Sequence, residues 1–158
     1  MGPPARIERA VELPLAAEAA WRLMRRTATF AFVAAPLLGV RDPLPERFAA
    51  GDRLRLRLTG PAGLPAGPHE IFVESVEEDG RAIQTREHSP LLRRWDHRLS
   101  VAETGPESCR YTDEVELDAG PLTALVVPAA RAFFAHRQRR WRALAAVLTP
   151  GDASPCRG

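Results

Sequence analysis

The sequence predicts an α+β fold: a curved antiparallel sheet of six to seven strands wrapped around a long C-terminal helix, with two short helices after the first strand. Two features carry that expectation. The strand-like run Trp95-Asp96-His97-Arg98-Leu99 is answered by Tyr111-Thr112-Asp113-Glu114-Val115-Glu116-Leu117, and a Gly-Pro break followed by one long helix, Pro121 to about Leu148, closes the fold. A sheet capped in this way leaves room for a cavity between the two layers, which makes ligand binding the first functional expectation.

Taken in order, Arg6 to Leu13 set Ile7, Val11 and Leu13 on one side and Glu8, Ala10 and Glu12 on the other. That is the period of a half-buried strand, with Arg9 interrupting the apolar row. Pro14 ends it. Ala16 to Arg26 places Ala17, Ala20, Trp21 and Met24 on one helical stripe anchored by Trp21, and Thr27 to Val40 reads as a second short helix and a loop. Arg53 to Thr59 alternates three arginines with three leucines and is the cleanest strand in the chain. Gly60 to Pro68 holds three prolines and three glycines, so it is expected neither to continue a ladder nor to form a helix, and it is placed to border an opening.

Ile71 to Glu77 and Arg81 to His88 read as a hairpin across Glu78-Asp79-Gly80, and the strands from Arg93 to Glu103 and from Cys109 to Asp118 follow. That makes six strands, with a seventh short one expected near Phe48. In the closing helix Leu122, Val126, Ala129, Phe133, Trp141, Leu144 and Leu148 form a broad apolar stripe. Pro128 removes one backbone hydrogen bond there and is expected to bend or loosen the first turns. The reading is one domain, residues 5–148, with flexible tails at 1–4 and 149–158.

With 158 residues, 45% apolar and 27% charged, the chain is long enough for a proper core and far from the composition of disorder. All 22 basic residues are Arg, yet the formal net charge is only +2, too close to balance for the strong positive field that nucleic-acid binding needs. Cys109 and Cys156 have no partner at zinc or redox spacing, which fits a reduced, cytoplasmic setting. The amino terminus lacks the pattern of a secretion signal, and no stretch approaches the roughly 18 consecutive apolar residues that a membrane span needs. The expected protein is soluble, without membrane span, metal or cofactor, and a homodimer is compatible with it.

Strand, two short helices, a run of antiparallel strands and a long terminal helix is the order of the helix-grip fold. Over about residues 5 to 148 the chain resembles the START-like, polyketide cyclase-like (SRPBCC) superfamily. The nearest local likeness is to bacterial cyclase-like members, through Trp95-Asp96-His97-Arg98-Leu99, Thr112-Asp113-Glu114-Val115 and His136-Arg137-Gln138-Arg139-Arg140-Trp141. The resemblance implies a cavity between concave sheet and terminal helix that holds a hydrophobic or aromatic small molecule, lipids included. Members range from passive carriers to cyclases, dehydratases and hydrolases, so the fold does not choose a reaction.

Strand parity places Trp95, His97, Leu99, Tyr111 and Asp113 on the concave face. If the hairpin turns about Gly105, His97 faces Asp113 and Leu99 faces Tyr111. Directly opposed residues have Cβ atoms roughly 4.5–5.5 Å apart, within reach of an imidazole–carboxylate hydrogen bond. A two-residue shift would set His97 against Val115 and Arg98 against Glu114, so both registers stand. A His97–Asp113 pair could act as base and orienter. It could equally be a self-satisfied polar pair that pins the helix through Arg137.

The expected lining is Phe30, Phe32, Ile71, Trp95, His97, Leu99, Tyr111, Asp113 and Phe133. The alternative to a binding protein is a cyclase- or dehydratase-like enzyme, with His97 as base, Asp113 as orienter and Tyr111 as hydrogen-bond donor to a carbonyl. A third reading is an interaction module using Arg137, Arg139, Arg140 and Arg142. These four point around much of the helix, and Arg137 falls on the buried stripe beside Phe133 and Trp141, where stacking on aromatics and pairing with a sheet carboxylate are expected. His69 and His88 lie at strand ends, exposed or rimming a mouth, and His136 lies on the helix. Glu70 and Glu74 read as the wet face.

Overall fold

Alternation builds the sheet. In the strand Arg53–Thr59 the arginines are exposed and Leu56 is buried between half-buried Leu54 and Leu58, so one face turns to water and one to the core. The computed structural model describes residues 4–149. Its elements are β1 (Ala5–Leu13), α1 (Ala17–Met24), α2 (Thr27–Ala34), β2 (Gly39–Val40), β3 (Arg53–Thr59), β4 (Pro65–Glu77), β5 (Ala82–His88), β6 (Arg94–Gly105), β7 (Ser108–Asp118) and α3 (Thr123–Leu148). The seven strands make one antiparallel sheet in the order β1-β7-β6-β5-β4-β3-β2, with the first strand closing against the last.

The stripe expected on α1 is the one that is buried: Ala17, Ala20, Trp21 and Met24. The Trp21 indole N–H donates to Glu78 Oε2 (2.8 Å) and ties α1 to the β4–β5 turn. The expected short strand near Phe48 is instead β2, paired with the end of β3. Pro43 and Pro45 deprive the segment before Phe48 of ladder donors, and the Phe48 ring is buried edge-on against Phe30 (centroids 6.0 Å).

The Gly60–Pro68 segment also departs from expectation, because it does both things it was expected not to do. Pro61–Gly63 form a short 3₁₀ turn, and from Pro65 the chain pairs with β3 across a register shift at Leu58/Thr59. Pairing with β5 starts only at Glu70, so Pro65 and Pro68 lie where β4 has a neighbour on one side and a missing N–H is tolerated.

On α3 the buried face is rotated by about one residue from the expected stripe. It comprises Ala130, Phe134, Arg137, Gln138, Trp141 and Ala145, while Leu122, Ala129 and Leu148 are exposed and Phe133 is half-buried. The helix runs on through Pro128, which sits on the solvent side. Its start at Thr123 follows a 3₁₀ turn, Gly120–Leu122. Thr149 closes the other end, its N–H and hydroxyl both reaching the Ala145 carbonyl (3.0 and 2.7 Å). Apart from Pro4 and Thr149, the expected tails lie outside the described residues, as does Cys156.

The solid core, including Trp21, Val33, Val73, Ile83, Tyr111 and Trp141, lies under α1, α2 and the second half of α3. A smaller cluster of Ile7, Val115, Leu117, Ala130 and Phe134 holds the first half of α3 to β1 and β7. Among the described residues no helix is long and apolar enough to cross a membrane.

Candidate functional site: a chamber walled by two histidine–carboxylate pairs

β6 and β7 settle the open register. The turn is at Pro106-Glu107, after a bulge between Glu103 and Gly105, so His97 pairs with Val115, Arg98 with Glu114 and Leu99 with Asp113. Asp113 is therefore diagonal to His97, yet both side chains stand on the inner face and meet at 2.9 Å, Nε2 to Oδ1. A carboxylate only accepts, so Nε2 carries the proton and the lone pair of a neutral ring is on Nδ1. Phe134 of α3 lies edge-on to the imidazole (5.2 Å) and stacked with Trp95 (5.7 Å, 24°).

Asp113 Oδ1 also accepts from the Tyr111 hydroxyl (2.7 Å) and, at 3.5 Å, from Arg137 Nη2, which in turn donates to the Tyr111 oxygen (3.1 Å). Burial alone would raise the Asp113 pKa, but the Arg137 guanidinium and the His97 and Tyr111 hydrogen bonds outweigh it and hold the carboxyl below its ordinary range. Burial, with the neighbouring Asp113 charge, pushes the Tyr111 phenol up, so it stays a protonated donor. Arg137 also lies over the Phe133 and Phe134 rings (5.9 and 5.7 Å). The expected helix-pinning contact thus coexists with the His97–Asp113 pair.

A second pair stands beside the first. His69 Nε2 donates to Glu87 Oε2 (2.7 Å), the Thr85 hydroxyl donates to Glu87 Oε1 (2.6 Å), and His97 Nδ1 is 4.0 Å from Glu87 Oε1. Burial works against the Glu87 charge, but the His69 bond and the two nearby imidazoles reverse it and leave the carboxyl below its usual range. Glu87 was not among the sequence candidates, and His69, expected exposed or at a rim, is 9% exposed on the inner wall. Parity was the available signal: His69 shares a row with Ile71 and Val73, and Glu87 with Ile83 and Thr85.

These groups border two adjoining spaces. The larger, about 290 Å³, lies under the first half of α3. Phe30, Leu38, Leu58, Pro68, Leu91, Leu92, Trp95, Val126, Ala129, Phe133 and Phe134 give it an apolar wall, and His69, Glu87 and His97 are among its few polar members. A recess of about 30 Å³ shares Phe30, Glu87 and His97 with it and continues toward Ile71, Thr85, Leu99, Arg137 and Trp141.

Of the expected lining, Phe30, Trp95, His97 and Phe133 border the larger space, and Ile71 and Leu99 the recess. Tyr111 and Asp113, 0% and 1% exposed, stand behind the wall, so the phenol points at Asp113 and not at a ligand carbonyl. Phe32 is on the outside at 37% exposure, under the Arg140 guanidinium (3.9 Å). Glu70 and Glu74 are on the wet face, paired with Arg55 and Arg86. His88 is exposed beside Glu70, and His136 Nε2 donates to the Ala35 carbonyl (2.8 Å). The four arginines do not form one stripe: Arg137 is buried, Arg140 lies against Phe32, and Arg139 and Arg142, three residues apart, are exposed on the solvent side of the helix.

A curved sheet that grips a long helix over such a chamber is the helix-grip fold, and the likeness to START-like and cyclase-like proteins is borne out at the level of fold. The chain belongs to the family described as domain of unknown function DUF8410, whose model matches residues 49–145 and so spans both histidine–carboxylate pairs, Tyr111 and Arg137. A search of curated proteins finds no match in sequence.

Three solved structures illustrate the shared fold. A START superfamily protein from Mycobacterium smegmatis is 16% identical, with 91% of this chain and 99% of that one covered, at TM-score 0.69. The Zhui aromatase/cyclase from Streptomyces sp. R1128 is 10% identical (90% and 93% covered, TM-score 0.70). Norcoclaurine synthase from Thalictrum flavum, in complex with dopamine and hydroxybenzaldehyde, is 14% identical (92% and 88% covered, TM-score 0.67).

Proposed function

We propose that this chain binds a small hydrophobic or aromatic molecule in the chamber between the sheet and the first half of α3, as a single domain in a cytoplasmic setting. The observation that carries the reading is the chamber itself: about 290 Å³ of mostly apolar wall with two buried histidines and the half-buried Glu87 at one side. That size is at the lower end of small-molecule sites, roughly 300–1,000 Å³, and favours a compact ring system over a long-chain lipid. Apolar wall supplies affinity, while His69, Glu87 and His97 orient the ligand's polar atoms. A neighbour of the same fold held with dopamine and hydroxybenzaldehyde, both small aromatics, supports the reading.

The test is to titrate a fluorescent naphthalene probe into the protein and into Ala129→Trp. Ala129 borders the chamber from an otherwise exposed position, so the indole fills the space without disturbing the core. Saturable binding that weakens at least tenfold in the variant is expected. Equal binding to both proteins contradicts the proposal.

A catalytic second reading has one specific observation in its favour: His97 is at the chamber wall with Nε2–H committed to Asp113. That leaves Nδ1 as the basic atom, with Asp113 fixing the tautomer in the manner of an orienting carboxylate. Tyr111 then positions Asp113 and touches no ligand. On an identified substrate His97→Ala should abolish turnover; unchanged kcat/KM would remove His97 from the role of base.

A further inference from the structure

The inner recess has a feature that the chamber does not. Two of its residues, Arg137 and Trp141, 2% and 1% exposed, each carry a buried N–H, Arg137 Nε and Trp141 Nε1, with no acceptor among the described residues. One helical turn separates them, so both stand on the same face of α3. Leaving such donors unpaired inside a protein is costly and rare, which makes their coincidence at one border informative. The other buried unpaired side-chain atoms among the described residues, Arg25 Nε, Asp113 Oδ2 and Gln138 Nε2, belong to residues that border neither space.

A recess of about 30 Å³ has room for an oxygen-sized group and not for a ring. It adjoins the chamber where Phe30, Glu87 and His97 border both. Both Glu87 oxygens and Asp113 Oδ1 are already engaged by His69, Thr85, His97 and Tyr111, and Asp113 Oδ2, itself without a donor, makes no hydrogen bond to either N–H group.

We propose that the recess is an acceptor-oxygen subsite, in which Arg137 Nε–H and Trp141 Nε1–H receive a carbonyl-type oxygen of a ligand whose aromatic body occupies the chamber. The inference rests on the chamber being a ligand site and names the ligand's class: an aromatic ring bearing one projecting acceptor oxygen. A hydrocarbon of the same outline would leave both donors unpaired, and discrimination against it follows from that cost rather than from shape.

The experiment compares 2-acetylnaphthalene with 2-isopropenylnaphthalene, which replaces the carbonyl oxygen by a methylene group. Isothermal titration of the wild type should show the ketone binding about 10-fold tighter, although the hydrocarbon is the more apolar of the two. The carbonyl carbon of ¹³C-labelled ketone should move downfield on binding, as accepted hydrogen bonds require. In Trp141→Phe the ketone should weaken about 5-fold and the hydrocarbon should be unaffected. If the variant does not fold, the wild-type ratio and the ¹³C shift decide alone. Equal or tighter binding of the hydrocarbon, an unmoved carbonyl resonance, or an unchanged ratio in Trp141→Phe overturns the subsite and leaves the chamber standing. Binding of neither compound overturns the chamber reading and the subsite with it.

Discussion

Asp113 is the residue on which the buried network converges, since one of its oxygens receives His97, Tyr111 and Arg137. Asp113→Asn removes the charge opposite a buried guanidinium and should cost about 3–5 kcal/mol in urea unfolding, because the uncompensated Arg137 remains in the interior. Tyr111→Phe, which deletes one donor to Asp113 and one acceptor of Arg137 but leaves the ion pair in place, should cost less, about 1–3 kcal/mol. The pH dependence follows from the direction of the shifts. Asp113 and Glu87 are both held below their ordinary values in the folded state, so the stability they contribute is fully present above about pH 5. It is lost as pH falls below about 4 through the folded-state values. Urea midpoints between pH 3 and 7 should therefore be flat and then fall on the acid side, and Asp113→Asn should show a shallower fall.

At this scale the sequence made parity legible: His97 and Asp113 are on the inner face because they alternate with outward charges. It left the register open, because a single bulge before Gly105 and a turn placed one residue later shift every pair by two. Glu87 is not legible in the sequence, because a carboxylate on an inner row reads as solvent-facing and the residues that satisfy it, His69 and Thr85, are brought to it only by the fold.

Elements were easier to read than their faces. β3, α1 and the β4–β5 hairpin follow directly from period and turn residues, since each has one wet and one apolar side. On α3 the apolar residues are spread around the helix, and Phe133 and Phe134 are adjacent, so period alone does not say which ring faces Trp95 and His97. The buried face is instead defined by small and polar residues, Ala130, Arg137, Gln138 and Ala145, that no apolar stripe would select. The Gly60–Pro68 segment departs from the sequence expectation for a related reason, because proline is costly only where a strand has neighbours on both sides.

Pro128 gives a prediction of its own. It interrupts the ladder of a continuous helix from a solvent-facing position. Interior proline costs about 3 kcal/mol against alanine, and the greater freedom of alanine in the unfolded chain offsets about 0.4–1 kcal/mol of the gain, so Pro128→Ala should stabilise by about 1–2 kcal/mol. Differential scanning calorimetry should show Tm rising by roughly 3–8 °C; an unchanged or lower Tm would mean that the proline fits its helix better than a donor would.

Across the whole molecule, close packing and open space are divided along α3. Its second half is fixed by Trp141, by the Arg137 network and by contacts of His136 and Arg140 with the end of α2. Its first half spans the chamber and is held at its flank by Ala130 and Phe134. A ligand can therefore be accommodated under one half without loosening the other, and bound ligand should raise Tm by mass action with the effect growing with concentration.

The existence of a chamber was legible from element order, but its depth and the recess beside it depended on which large side chains fill the interior. The most direct test is an NMR titration with 2-acetylnaphthalene, following assigned side-chain resonances. The account predicts saturable shifts concentrated at Leu91, Leu92, Trp95, Val126, Phe133 and Phe134, with the outer face of the sheet silent. Shifts confined to the outer face, or none at all, would contradict it.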